Sequence, residues 1–429
     1  HQRTLMKKPI SIAQMLVLNT YMVGISFMWN ALHPIILPAV LLNYVPDAQK
    51  NTYLGLLTFV GLFIAMIIQP VSGALSDGWS SRFGRRRPLI VIGTLFDFVF
   101  LLLLAFGGGL LWLFIGYIGL QFSSNFAHGP FQGLLPDRVP EKQIGVASSL
   151  KTFMDMASLI IASLLAGRLL NQQTRDATTI MLVVIGLLAA SACITVFFTP
   201  EEPTHERARM DLKAFLASFR LDFRQNTAYW WLIAERALFL LGIYGVQAFA
   251  QYYLQDVMRV ADPPRQVGDL LARLTIALVI LVLIGGWLTD RFGAKRILYI
   301  ASFIAAVGML LLLFAADMSS VNYAGYVVGG GIGLFLTSNW ALANALAPGD
   351  QAGKFLGLTN IATAGSGALA RLEGPALDYL NAAWPAAWIG YKAMFVFGVV
   401  CILLSVLILV KIPGKNDLRA TVSSPTPAD

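Results

Sequence analysis

Twelve runs of apolar residues follow one another along this chain, most of them about twenty residues or longer, with little polar sequence between them. A helix that crosses a bilayer needs roughly 20 predominantly apolar residues. The runs therefore predict an all-α membrane protein with twelve transmembrane helices. Their approximate spans, numbered helix 1 to helix 12, are 10–40, 52–76, 88–107, 111–136, 144–167 and 178–199, then 228–255, 267–289, 295–316, 321–347, 355–380 and 387–411. Composition agrees: 57% of residues are hydrophobic and only 13% charged, whereas a soluble domain carries about 25% charge. The lipid bilayer is thus the expected solvent. No cleavable signal peptide is expected, because the first run is far longer than a signal h-region and carries no small-residue cleavage site.

The polar stretch 200–227 divides the runs six and six. The expected organisation is a six-helix bundle over 1–199, a cytoplasmic linker over 200–227, a second bundle over 228–411 and a disordered cytoplasmic tail over 412–429. The linker residues 212–220 have apolar positions at helical spacing, which predicts a short amphipathic helix on the inner membrane surface. With both termini inside, 21 of the 31 Lys and Arg fall in inner segments and 5 in outer ones. The positive-inside rule then places both termini in the cytoplasm of a cell membrane. The same distribution leaves no solvated basic patch for nucleic acid. Cys193 and Cys401 lie inside apolar runs, so neither a disulfide framework nor a thiolate metal site is expected.

Two loops repeat. Between helices 2 and 3 the chain has Gly73, Ser76, Asp77, Arg82, Phe83, Gly84 and the cluster Arg85-Arg86-Arg87-Pro88. Between helices 8 and 9 it has Gly286, Thr289, Asp290, Arg291, Phe292, Gly293 and then Lys295-Arg296. The first copy carries four extra residues between Asp and Arg-Phe-Gly. Matching loops at matching places imply a duplicated six-helix unit. The first Gly permits close helix approach, the second permits a turn that a side chain would forbid, and the Asp can pair with the basic cluster. Gly73, Asp77, Arg82, Gly84, Arg85, Gly286, Asp290, Arg291 and Gly293 are the candidate gating residues. The plainer reading is that these loops only set topology.

An ionisable group at the bilayer centre costs at least about 2.5–3.5 kcal/mol, so such groups face the bundle interior. Asp97, Asp155, Glu235 and Glu373 are the candidate proton-carrying residues. Lys151 and Asp155 are four apart and share a helix face. For that pair, and for Arg371 with Glu373, a structural ion pair is the alternative. Helices 1, 4, 7 and 10 each carry a polar stripe. From these stripes we take Asn30, His33, Asn125, His128, Gln132, Gln247, Gln251, Asn339 and Trp340 as candidate substrate contacts. Amides both donate to and accept from hydroxyls, which suits a polyhydroxy solute, and Trp29, Phe126, Tyr252 and Trp340 offer flat faces to a sugar ring. The alternative for each polar residue is a helix–helix hydrogen bond. No phosphate-binding loop, metal-ligand cluster or Ser-His-Asp arrangement is present, so neither an enzyme nor a cofactor is expected.

The two loops, the six-plus-six division and the inner linker resemble the major facilitator superfamily over the whole chain. The first loop, with its insertion and Arg85-Arg86-Arg87-Pro88, and the preceding Ile68-Gln69-Pro70-Val71-Ser72-Gly73 look like the sucrose transporters of plants and their animal and bacterial relatives. Gly129 to Asp137 resembles the same group loosely. Asn339-Trp340-Ala341-Leu342-Ala343-Asn344 looks like a helix-10 element that in bacterial relatives carries an acid where this chain has Asn344. The resemblance implies a secondary active transporter working by alternating access, with helices 1, 4, 7 and 10 lining its cavity. It further implies proton-coupled import of a neutral sugar or glycoside by a monomer whose partners are its solute, protons and lipid. Residues 54–69 contain no acid, so the sodium site of melibiose-type relatives is not expected. The alternatives are proton-driven efflux of an amphiphile and a non-transporting membrane assembly factor.

Overall fold

The computed structural model describes residues 9–199, 201, 226–347 and 352–412. The expected amphipathic helix at 212–220 and the tail beyond 412 lie outside those residues. Among the described residues the chain is helical, with one isolated bridge between Asn171 and Asp176. In chain order the long helices are α1 (Ile12–Leu41), α2 (Lys50–Asp77), α3 (Arg87–Phe106), α4 (Leu110–Arg138), α5 (Ile144–Leu169) and α6 (Thr178–Phe198). They continue with α7 (Thr227–Asp256), α8 (Pro263–Phe292), α9 (Ala294–Leu313), α10 (Met318–Leu346), α11 (352–383) and α12 (Ile389–Leu409). All but α11 are long and apolar enough to cross a membrane.

The chain forms two compact units. The first holds the described residues through 201 together with Val260–Ala272, which include the start of α8. The second holds 226–259 and the described residues from Arg273 onward. In the first unit α1 packs on α5 and α6, and α4 packs on α2 and α3. In the second, α9 packs on α10 and α12, and α7 packs on α11 and α12. Large apolar side chains such as Phe63, Phe96, Phe303 and Leu407 are exposed. On a soluble protein so much exposed apolar surface would be a liability; in lipid it is the ordinary outer face.

Local sequence explains the irregularities. Ser11 caps α1 in a reciprocal capping box with Gln14, which satisfies two otherwise free helix donors. Pro34 and Pro38 both lack the backbone N–H that an α-helix requires. Around Pro34 the helix widens into a π-turn over Leu32–Ile36, closed by the Leu37 N–H on the Leu32 carbonyl. The run expected as one helix over 355–380 is interrupted. It forms Ala352–Ala370, a 3-10 turn over Arg371–Glu373, and Gly374–Ala383. Pro375 cannot bond back to residue 371 and its ring would strike that carbonyl, so the ladder breaks there. Arg371 and Glu373 accordingly sit in a turn, not deep in a regular helix.

Candidate functional site

In the first repeated loop one residue, Arg86, holds the contacts together. It is buried and its guanidinium reaches two acids: Asp77 at 2.5 Å and Asp137 at 2.9 Å. It also donates to the Gly73 carbonyl at 3.3 Å and to Ser76 Oγ. Arg85 donates to the other oxygen of Asp137 at 2.7 Å. Glu201, just past α6, accepts from the backbone N–H groups of Arg86 and Arg87 at 3.0–3.1 Å. Those groups open α3, where free donors and the helix dipole favour a carboxylate. Gly84 supplies a positive φ of 93°, and a side chain there would strike Glu201. Gly73 lies against the backbone of Gly129, so α2 and α4 approach closely at that point.

The second copy is built differently. Gly293 again takes a positive φ, 90°, and lets α9 start one residue after α8 ends. Among the described residues Asp290 makes no ion pair, and Arg291 lies over the rings of Trp287 and Phe292. Open space adjoins Gly286, and the close contact falls one residue earlier, where Gly285 packs on Leu334. In the first copy Arg82 likewise lies over Phe83 and makes no ion pair among the described residues. The sequence shows Arg86 only as part of a basic cluster and Asp137 only as the end of the run from Gly129, and gives no pairing for either of them or for Glu201. An acid after a helix end and a basic cluster before a helix start were visible, but not their pairing.

The polar stripes resolve into one cluster per unit. In the first, His33 stacks on Trp29 with ring centroids 4.9 Å apart. Its Nε2 lies 2.9 Å from the Tyr117 hydroxyl. Gln121 Nε2 donates to that hydroxyl at 2.7 Å and approaches His33 Nε2 at 3.2 Å. Since the amide nitrogen only donates, His33 Nε2 is the acceptor here. Asn125 Nδ2 donates to the Gln121 carbonyl and side chain. One turn on, His128 sits between Gln69 at 3.3 Å and Gln132 at 3.4 Å. Along α4 the stripe passes from buried Gln121 and Asn125 through half-buried His128 to exposed Gln132. A cavity of about 30 Å³, lined by Asn19, Gln132, Lys151 and four apolar residues, adjoins it.

In the second unit Asn339 is the centre. Its Nδ2 donates to Glu235 Oε2 at 2.7 Å and its Oδ1 accepts from Arg236 at 2.6 Å. Arg236 Nε also donates to Thr363 at 2.9 Å. Glu235, Arg236 and Asn339 are all buried. Gln251 is buried, Gln247 half-buried, and Trp340 is 40% exposed.

The remaining acids are dispersed. Asp97, buried, accepts from Ser123 Oγ at 2.5 Å, and its other oxygen has no hydrogen-bond partner among the described residues. Asp155 accepts from Ser26 Oγ, which is also 3.1 Å from Asn30 Nδ2. Among the described residues it makes no ion pair with Lys151. Glu373 packs beside Gly245 with one oxygen unpartnered among the described residues, while Arg371 donates to the Tyr244 carbonyl at 3.0 Å.

Residues 10–370 match the family model of the Major Facilitator Superfamily. The chain belongs to this superfamily. Among superfamily proteins it is 27% identical over 279 residues to an uncharacterized symporter, YnaJ, of Bacillus subtilis (strain 168). That alignment covers 61% of this chain and 58% of the relative, so the match spans less than two thirds of that protein. It is 25% identical over 376 residues to the class D tetracycline resistance protein of Salmonella ordonez, covering 83% and 87% of the two chains. Its fold is similar to that of a D-xylose-proton symporter, with a TM-score of 0.74 over 95% of this chain and 99% of that one, at 14% identity. The Major Facilitator fold, all-α with twelve helices, is thereby established. The chain is a multi-pass membrane transporter and not an enzyme.

Proposed function

We propose that this transporter imports a sugar or glycoside together with protons, exposing its polar helix faces alternately to the two sides of the membrane. The observation that carries the reading is the cluster of the first unit. There the stacked Trp29 and His33 stand beside Tyr117, Gln121 and Asn125. A flat aromatic face flanked by groups that both donate and accept matches a ring bearing hydroxyls on its edge. Asn30, His128, Gln132, Gln247, Gln251 and Trp340 complete the proposed contacts. Four acids in the helices, Asp97, Asp155, Glu235 and Glu373, are the proposed proton carriers. Residues 54–69 of α2 hold no acid for sodium. The ion pairs of Arg86 serve as a latch that opens and closes during the cycle, with Asp290 and Arg291 as its counterpart. Both termini face the cytoplasm across the cell membrane, and the monomer is the working unit.

The test is uptake by purified protein in liposomes, using labelled pentoses, hexoses and disaccharides. Accumulation is expected with an inward proton gradient, unchanged when sodium is added or withdrawn. A strict sodium requirement would overturn the coupling. A second reading, proton-driven efflux of an amphiphile, is favoured by the alignment with the tetracycline resistance protein, which covers more of both chains than that with YnaJ. It predicts no sugar accumulation, but expulsion of a labelled amphiphile from cells that express the protein.

A further inference from the structure

We propose that Asn339 is the positioning residue of a proton switch in the second unit. On this proposal its amide ties Glu235 to Arg236, so that a proton taken up by Glu235 loosens the joint between α7, α10 and α11. The inference rests on the proton-coupled reading above and selects one of its four acids.

The chemistry of the three groups fixes the arrangement. A guanidinium only donates and a carboxylate only accepts. Asn339 meets both at once, with its Nδ2 on Glu235 Oε2 and its Oδ1 under Arg236 NH1. The amide can lie in one sense only. Glu235 and Arg236 are neighbours on α7 that point about 100° apart; among the described residues they form no direct ion pair, and the amide bridges the two charges. Among the described residues Glu235 Oε1 is buried and accepts no hydrogen bond. It is therefore an open place for a proton, where an O–H bond forms and the carboxylate charge falls from minus one to zero.

The consequences run outward from that bond. The Asn339 hydrogen bond loses its charged acceptor, and charge-assisted bonds are roughly twice as strong as neutral ones. Arg236 is left as a buried cation without its counter-charge, which is strongly unfavourable. Arg236 Nε holds Thr363 of α11, and Thr359 one turn earlier meets the Tyr229 hydroxyl of α7 at 2.7 Å. The same guanidinium thus joins α7 to α10 and to α11. The other titratable groups on this face are Tyr229 and Tyr244 of α7 and Arg371 of the turn in α11. Glu373 faces Arg371 and Cys401 of α12. Between Met318 and Leu346 α10 contains no Asp, Glu, Lys or Arg.

The test needs no transported solute. Hydrogen–deuterium exchange of α10 and of residues 355–370 is followed in the purified full chain at acidic and alkaline pH, corrected for the intrinsic pH dependence of exchange. Wild type is expected to exchange about five- to tenfold faster at acidic pH, the factor for a charge-assisted bond becoming neutral. Glu235→Gln, which mimics the protonated acid, should exchange fast at both pH values. Asn339→Leu should lose the pH dependence, and Asn339→Gln, which keeps an amide, should recover part of it. In infrared spectra the protonated carboxyl band absent from Glu235→Gln should move to higher wavenumber in Asn339→Leu. A purely structural Asn339 would raise exchange in Asn339→Leu but leave the pH dependence in place, and that result would overturn the proposal. Persistence of wild-type behaviour in Glu235→Gln would do the same. Because the readout is independent of uptake, failed proton coupling in liposomes alongside an intact switch would count against the transport reading alone.

Discussion

Arg86 holds two acids, and the structure says which matters more. Its side chain is 6% exposed, that of Asp137 25% and that of Asp77 60%. The shorter contact, 2.5 Å, is to Asp77, yet water screens that pair. Exposed ion pairs contribute about 0.2–1 kcal/mol, whereas hydrogen bonds to charged groups in drier surroundings contribute about 1.5–3 kcal/mol. We therefore expect a coupling energy of about 0.5 kcal/mol between Arg86 and Asp77, and of about 1.5 kcal/mol between Arg86 and Asp137. Arg86→Gln alone also loses the bonds to Gly73 and Ser76, for a total near 3 kcal/mol. For a unit of roughly 200 residues that is a fall in Tm of about 6–12 °C. Two double-mutant cycles measure this, Arg86→Gln with Asp137→Asn and Arg86→Gln with Asp77→Asn, by thermal unfolding in detergent at one fixed scan rate. If the Asp77 cycle shows the larger coupling, distance rather than burial governs the latch and the reasoning fails.

Asp290→Asn should leave Tm within about 1 °C, since no described ion pair is lost and such surface changes are nearly neutral. It should nevertheless slow uptake at matched protein levels, and normal uptake would remove Asp290 from the gate. Cysteines at 132, 128 and 125 should react with a small water-soluble thiol reagent in that order of rate, following the exposure gradient along α4, and a bound sugar should protect them; equal rates would contradict the gradient. Asp317 caps α10 through the Ser320 backbone N–H, and that bond holds its carboxyl below the usual range. A depressed carboxylate stabilises the fold above its ordinary value and stops doing so as pH falls through the lowered one. Asp317→Ala should thus be less stable than wild type at neutral pH, with the gap closing in strong acid; a gap independent of pH would refute the cap.

Periodicity and length revealed the helices because a bilayer imposes one requirement on every span. Gly84 and Gly293 were legible as turns because positive φ leaves few residues to choose from. The break in α11 was written in Pro375, but an apolar run 26 residues long masks a single proline when only hydropathy is weighed. The partners of Arg86 and Asn339 were not legible. Asn339 and Glu235 are 104 positions apart, and nothing in either helix alone says which amide faces which acid. Asn339 was expected to touch solute, yet both ends of its amide are occupied by Glu235 and Arg236.

The π-turn of α1 has a bearing on how the chain tolerates change. A π-turn holds one more residue than an α-turn, so the stretch after Ile36 is out of phase by about 100° with the stretch before Leu32. Loss of one residue between 32 and 36 would return this turn to α geometry, apart from the two bonds that Pro34 and Pro38 cannot donate. The later side chains of α1, among them the buried Leu37, Ala39 and Leu41, would then keep the faces they now occupy. Loss of one residue should therefore be tolerated better in this turn than elsewhere in α1. Across related chains the spacing of Pro34 and Pro38 is the quantity to compare, more than the identity of the residues between them.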